Sequence, residues 1–168
     1  MPLPDVSQPQ AIQINSWLRL RRYDGHWEQL LPGYQDPVVY QNSEGIFDES
    51  DIPNGDYVRN MCGFLNSTGE LYYIEVKEGE EYRPVGDVTV KGENPPIAIW
   101  MEHYRGKGIG TLVMRAVIQR LKQLGFQKIT GSTVYKWNAA SQRLHEKLGF
   151  TLVSESERER IYQLDLKE

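Results

Sequence analysis

The sequence predicts an α+β domain built around one mixed, predominantly antiparallel sheet. Three observations predict it. Two amphipathic helix patterns, each closed by a glycine, occupy the C-terminal half. Short runs rich in β-branched and aromatic residues lie between and before them, several spaced as hairpins. The element order that results, β–α–α–β–β–β–α–β–α–β–β, offers no repeated βαβ units and so no wholly parallel sheet.

Each element has its own signal. Residues 16–22 (SWLRLRR) alternate apolar and polar side chains, which predicts a first strand. Residues 26–31 predict a short helix ended by Pro32-Gly33. Residues 35–54 are rich in turn formers and acids and are expected to be irregular. Tyr57, Met61 and Phe64/Leu65 recur at helical spacing, so residues 56–66 are expected to be helical, with Asn54 as the cap. Residues 70–76 (ELYYIEV) and 85–90 predict a hairpin around a charged turn containing Gly79. Residues 97–101 (IAIWM) predict a short strand buried on both faces.

The clearest helix follows. Val113, Ala116, Val117, Leu121 and Leu124 form its apolar face, and Gly125 its stop. Residues 127–134 predict the next strand. Ala140, Leu144 and Leu148 mark a second amphipathic helix, capped by Asn138 and stopped by Gly149. Residues 151–153 and 161–166 predict two last strands around a charged turn.

Length and composition narrow the function classes. The 168 residues suit one domain with one core, with residues 1–12 as a flexible lead-in. Hydrophobic content of 39% and charged content of 25% read as globular rather than disordered. No apolar run reaches the length of a membrane span, and the N-terminus lacks the basic and apolar regions of a signal peptide, so no membrane partner is expected. A single cysteine, Cys62, excludes an internal disulfide framework and suits a reducing cytoplasm; it is expected to be a buried structural residue. No His/Cys/Asp spacing suggests a metal site.

The net charge of −4 is unevenly spread. Residues 103–147 hold nine Lys or Arg and one acid, Glu146, so they carry +8 and leave −12 to the rest. This reads either as a solvated basic helix face or as a basic segment that holds an anion while the acidic remainder meets a cation. The chain is neither basic overall nor supplied with RNA-binding aromatic motifs, so nucleic acid is not an expected partner.

The chemistry is expected at Tyr104-Arg105-Gly106-Lys107-Gly108-Ile109-Gly110-Thr111. This run follows a short apolar strand and opens an amphipathic helix. Alternate glycines let the backbone turn and approach a ligand, and the helix start presents free N–H groups at the positive end of the dipole. Such a site suits a phosphate or diphosphate. No P-loop motif occurs, and Thr111 stands where a dinucleotide fingerprint needs its third glycine.

The run from Arg105 to Gly110 matches the acetyl-CoA signature [Q/R]-x-x-G-x-[G/A] of the GNAT acetyltransferases. The segment from Asn138 to Phe150 resembles that family's N-x-x-[AS]-x-x-[LV]-Y-x-K-x-G-F block. The resemblance is strong over residues 97–153 and weaker over 17–90, where it is closest to the branch of ribosomal-protein and antibiotic acetyltransferases. It implies a three-layer fold, with helices on both faces of the sheet, and a cytoplasmic N-acetyltransferase that moves acetyl from acetyl-CoA directly to a primary amine of a small molecule or peptide. A homodimer is common in the family.

The resemblance also implies roles. Backbone amides from Arg105 through Gly106, Lys107, Gly108, Ile109 and Gly110 would hold the CoA diphosphate, with Thr111 at the helix start. Residues 97–101 would part from residues 127–134 to admit the pantetheine arm, and an amide near Trp100 or Met101 would polarise the thioester carbonyl. Asn138, with Ser141 in the same turn, would lie on the CoA side, a role compatible with capping. His145 occupies the place where the family often carries a tyrosine acid; it reads equally as that acid or as a partly exposed helix histidine. Glu102, Asp87 and Glu93 are the carboxylates near the active strand, each readable as base or as surface charge, and a water chain could replace them. His103 and His26 are weaker candidates. The acceptor pocket is expected around residues 34–40, 44–51 and 56–66, whose acids and tyrosines suit a cationic amine. A CoA-binding sensor without catalysis would share these features.

Overall fold

The computed structural model describes residues 6–167. Eight strands and five α-helices alternate in it: β1 (Ala11–Gln13), β2 (Leu18–Arg22), α1 (Leu31–Tyr34), α2 (Pro37–Glu44), α3 (Gly55–Thr68), β3 (Glu70–Glu78), β4 (Glu81–Val90), β5 (Ile97–Ile99), α4 (Ile109–Gln123), β6 (Lys128–Tyr135), α5 (Ala139–Lys147), β7 (Thr151–Glu155) and β8 (Glu159–Asp165). They form three layers, with strands in the middle. Alternation along β3 sends Leu71 and Tyr73 to one face, where they pack with Leu30, Val58 and Cys62 of the α1–α3 side. Tyr72, Ile74 and Val76 go to the other, where Val113, Met114, Val117 and Leu121 of α4 meet them.

The expected single sheet is divided. Strands β1 to β5 form one antiparallel sheet in sequence order, and β6-β8-β7 form a second. The two meet at one parallel bridge, Glu93 to Thr130, where Thr130 N–H donates to Gly92 and Asn94 N–H donates to Thr130. Beyond that point β5 and β6 part company. This is the separation expected between residues 97–101 and 127–134.

Several expectations are corrected. Residues 1–5 of the expected lead-in lie outside the described residues, but residues 7–13 are held. Ala11–Gln13 pairs with Arg19–Arg21, Gln8 donates to the Leu71 carbonyl, and Arg120 reaches the Ser7 carbonyl. Pro32-Gly33 does not end a helix; it lies inside α1, with the proline in the first turn, where it lacks only an N–H that would be unpaired. The stretch expected to be irregular contains α2. Its signals are a textual set of start and stop residues: Asp36 caps it by accepting from Val38 N–H, Pro37 occupies the first position, and Gly45 closes it at φ +67°. Strand β5 is half-buried rather than buried on both faces, because one of its edges faces the opening.

Other elements fall where expected. Asn54 Oδ1 accepts from Tyr57 N–H at the start of α3, and Asn138 Oδ1 accepts from Ser141 N–H at the start of α5. Cys62 is buried. Among the described residues no helix is long and apolar enough to cross a membrane.

Candidate active site

Register fixes what the edge of β5 offers. Gly86 pairs with Ile99, Asp87 with Ala98 and Val88 with Ile97. Trp100 N–H donates to Val85 and Thr89 N–H to Pro96, so the hydrogen-bonded positions on this side are 96, 98 and 100. The N–H groups of Ile97 and Ile99 therefore point away from β4, into the opening toward β6. Trp100 N–H is already paired, which removes it as the expected carbonyl-polarising amide; Met101 N–H finds no acceptor among the described residues.

The glycine run forms the next wall. Gly106 and Gly108 have φ of +71° and +82°, a region that side chains rarely adopt, and a Cβ on either would meet nothing within 4 Å. The turn therefore needs glycine for its backbone, and it leaves open space above it. From Gly106 to Thr111 no amide N–H has a hydrogen-bond acceptor among the described residues; the first that does is Leu112, which donates to Gly108. These donors lie at the N-terminus of the 15-residue α4. They form a concentrated anion site.

Arg105 differs from the expectation. Its N–H donates to the Glu102 carbonyl and is not free. Its side chain donates from Nε to the Ile99 carbonyl (3.0 Å) and from Nη2 to the Trp100 carbonyl (2.8 Å) and Asp36 (2.6 Å). It thus ties the end of β5 and the start of α2 to the glycine turn. Lys107 is exposed and lines neither cavity described below.

Two cavities abut at the opening. The first, about 280 Å³, is lined by β5, the glycine turn, Thr111, Asn138, Ser141 and Leu144. The two motif blocks therefore face each other across one cleft. The second, about 480 Å³, lies beside it and is lined by Tyr34, Glu44, Phe64, Glu93, Tyr135 and Glu159, among others. Asn42, Ser43, Ile97, Asn138 and Ser141 belong to both walls. The second cavity draws on α2 and α3, and also on the 93–96 turn, β6 and β8, which the sequence patterns did not bring together.

Its electrostatics are acidic. Glu44, Glu93 and Glu159 have no Lys or Arg partner within ion-pair distance among the described residues. Burial raises the Glu44 pKa, opposed by a hydrogen bond from Tyr57. Lys91 is the one cation in the wall; burial lowers its pKa, and its Nζ lies over the Phe64 ring.

His145 and Glu102 are not brought together. Glu102 starts an exposed 3₁₀ turn and lines neither cavity. His145 is 6% exposed, at the wall of the second cavity, packed edge-on to Phe150 and nearly parallel to Tyr162. Its Nδ1 is 2.7 Å from the Ser141 carbonyl. A carbonyl only accepts, so Nδ1 carries a proton, and in the neutral ring Nε2 is then the unprotonated nitrogen. Burial lowers its pKa, opposed by that bond. A neutral ring whose one proton faces its own helix does not match the expected acid. Asp87 is not a surface charge either: it is 1% exposed, and it accepts from Tyr34 and Trp100. Among the described residues no group of three or more His, Cys, Asp or Glu is placed to hold a metal.

Similarity to known proteins agrees with this geometry. A mycothiol acetyltransferase of Propionibacterium freudenreichii subsp. shermanii is 26% identical over 166 residues, covering 92% of this chain and 49% of that protein. The chain thus spans about half the length of that relative. A domain from Methanocaldococcus jannaschii superposes with a TM-score of 0.74 at 24% identity, covering 88% of this chain and 97% of that one. The yncA protein of Salmonella typhimurium, solved with acetyl-CoA as its cofactor, gives a TM-score of 0.65 at 18% identity, covering 90% and 95%. Residues 37–150 match the acetyltransferase (GNAT) family, two thirds of the sequence, including the glycine turn and the strands β5 and β6 that part at the opening, and the chain belongs to that family.

Proposed function

We propose that the chain transfers an acetyl group from acetyl-CoA to the primary amine of a cationic small molecule or peptide. One observation carries the reading: the run of free amides from Gly106 to Thr111, five of whose six residues line the cleft, borders the same opening as the unpaired edge of β5. A diphosphate suits the first and an amide-bearing arm suits the second. In this reading the diphosphate takes the amides of Gly106, Lys107, Gly108, Ile109, Gly110 and Thr111. The Ile97 and Ile99 N–H groups pair with the arm. Met101 N–H polarises the thioester carbonyl in place of Trp100. Asn138 and Ser141 stand where the two cavities join. The acidic cavity receives the amine, drawn by Glu44, Glu93 and Glu159.

The amine nitrogen attacks the thioester carbon, the C–S bond breaks, and CoA leaves as its thiol after taking a proton. No enzyme nucleophile is required. Cys62 supports none, since burial pushes its thiol up to about 12. Glu102, exposed and outside both cavities, and His145, whose Nδ1–H donates to the Ser141 carbonyl, have no part in this scheme.

Calorimetric titration with acetyl-CoA, followed by free-CoA release against a panel of amines, tests the reading. Binding with amine-dependent CoA release is the expected result. Binding without release from any amine would leave a CoA-binding module, and absence of binding at millimolar acetyl-CoA would reject both.

A further inference from the structure

Asp87 sits mid-strand in β4, on the face covered by α1 and α3, at 1% exposure. A carboxyl there is costly, and an apolar side chain would pack without that cost. No Lys or Arg among the described residues compensates it. Its partners are Trp100 Nε1–H (2.7 Å) and the Tyr34 hydroxyl, which donates at 2.9 Å to one oxygen and lies 3.2 Å from the other. Tyr34 is also part of the wall of the acidic cavity. One residue therefore borders the cavity and bonds the buried acid.

We propose that Asp87, acting through the Tyr34 hydroxyl, takes the proton that an acceptor ammonium must lose before it can attack. The inference rests on the acetyl-transfer reading above. The ammonium passes one proton to the Tyr34 oxygen while Tyr34 passes its own proton to the Asp87 carboxylate. The products are a free amine, a neutral tyrosine and a neutral carboxylic acid. After attack, the second nitrogen proton leaves with the thiolate to give the thiol, and Asp87 returns its proton along the same path to solvent. Tyr34 is never left ionised, which suits a phenol whose pKa burial and Asp87 hold well above its ordinary value.

The surroundings set Asp87 for this task. Burial pushes its pKa up to about 7, while the bonds from Trp100 and Tyr34 hold it down and the Glu44 charge adds to the rise. The other titratable groups that face it are Cys62 of α3 and, across the strand pair, Tyr73 of β3, whose hydroxyl is engaged by Asp24. A base half-ionised near neutrality is well matched to proton transfer at that pH.

The Trp100 indole N–H reports the ionisation without turnover. In the wild-type protein its ¹⁵N–¹H resonance is expected to titrate with a midpoint near neutrality, and Asp87→Asn is expected to abolish that titration. In kcat/KM the wild type should show an acid limb with the same midpoint. Asp87→Asn should lose the limb and about 10²-fold in kcat with little change in KM. Tyr34→Phe should lose the limb while keeping the indole titration. Glu44→Gln should raise KM and keep the limb. An indole titrating below about pH 5, a limb surviving in Asp87→Asn, or a limb lost in Glu44→Gln would each overturn the relay while leaving acetyl transfer intact. A wild type from which none of the amines releases CoA would overturn both.

Discussion

His145 Nδ1 and the carbonyl of Ser141 are 2.7 Å apart, one turn away in the same helix. This contact fixes the tautomer, and the flanking Phe150 and Tyr162 rings fix the plane. The side chain therefore acts as packing with one satisfied donor. His145→Gln is expected to lower stability by about 2 kcal/mol, measured by urea unfolding, since a buried stacked ring is lost. Its kcat profile across pH 6–9 should superimpose on that of the wild type; a kcat loss that is largest at low pH and shrinks as pH rises would restore the acid role. The folded-state pKa is depressed, so this histidine contributes stability above its unfolded value of about 6.5, and that contribution is lost as pH falls.

Asp87 has the opposite sign. Its folded pKa is raised from 3.8 to about 7, so the folded state binds more protons than the unfolded state between those values. Stability should fall as pH rises through that window and level off above it, by on the order of 4 kcal/mol for a shift of that size. Asp87→Asn keeps an oxygen for both donors and removes the titration. Its unfolding free energy minus that of the wild type should therefore increase from pH 4 to pH 8. A difference that does not change with pH would show that Asp87 is ionised throughout.

Arg105 joins the end of β5 and the start of α2 to the glycine turn through three side-chain contacts, which its guanidinium geometry makes feasible. Lysine keeps the charge but cannot reach the Ile99 and Trp100 carbonyls and Asp36 together. Arg105→Lys is expected to weaken acetyl-CoA binding about tenfold by calorimetry, because the glycine turn loses its anchor to β5. Asp36→Asn spares the oxygen that caps α2 and removes the charge that meets Arg105. The double variant should be non-additive by about 1 kcal/mol, as expected for directly bonded residues.

Asp87 and Arg105 mark the limit of what the sequence shows. The glycine turn, α4 and α5 were legible because their signals are local: apolar spacing, an asparagine cap, a terminal glycine. Even α2 carried such signals in Asp36, Pro37 and Gly45, but its surplus of turn-forming residues read as loop. Asp87 was not legible. In VGDVTV the alternation of Asp87 and Thr89 with Val88 and Val90 describes a strand with one wet face. That face is dry because α1 and α3 cover it, and nothing local encodes where those helices dock. For the same reason the sequence could place Arg105 in the turn without showing that its side chain folds back onto β5. Nor could it show that Glu93 and Glu159, 66 residues apart, would line one cavity.

Those two carboxylates allow a test of the acceptor. Glu93 is exposed and Glu159 half-buried, neither is paired with Lys or Arg among the described residues, and both face the cavity that also holds Glu44. Charges in such a setting act through space on an approaching cation and are screened by salt. Glu93→Gln and Glu159→Gln should each raise KM for a cationic acceptor about two- to fivefold at low ionic strength, roughly the effect of one weak, partly solvated charge pair. The change in kcat should be small, because neither carboxylate reaches the Asp87–Tyr34 pair. Raising salt from about 20 mM to 500 mM shortens the screening length severalfold and should bring variants and wild type together. If the KM differences persist at high salt, the carboxylates act by direct hydrogen bonds to the acceptor. If neither variant changes KM at any salt, the amine does not enter through this cavity.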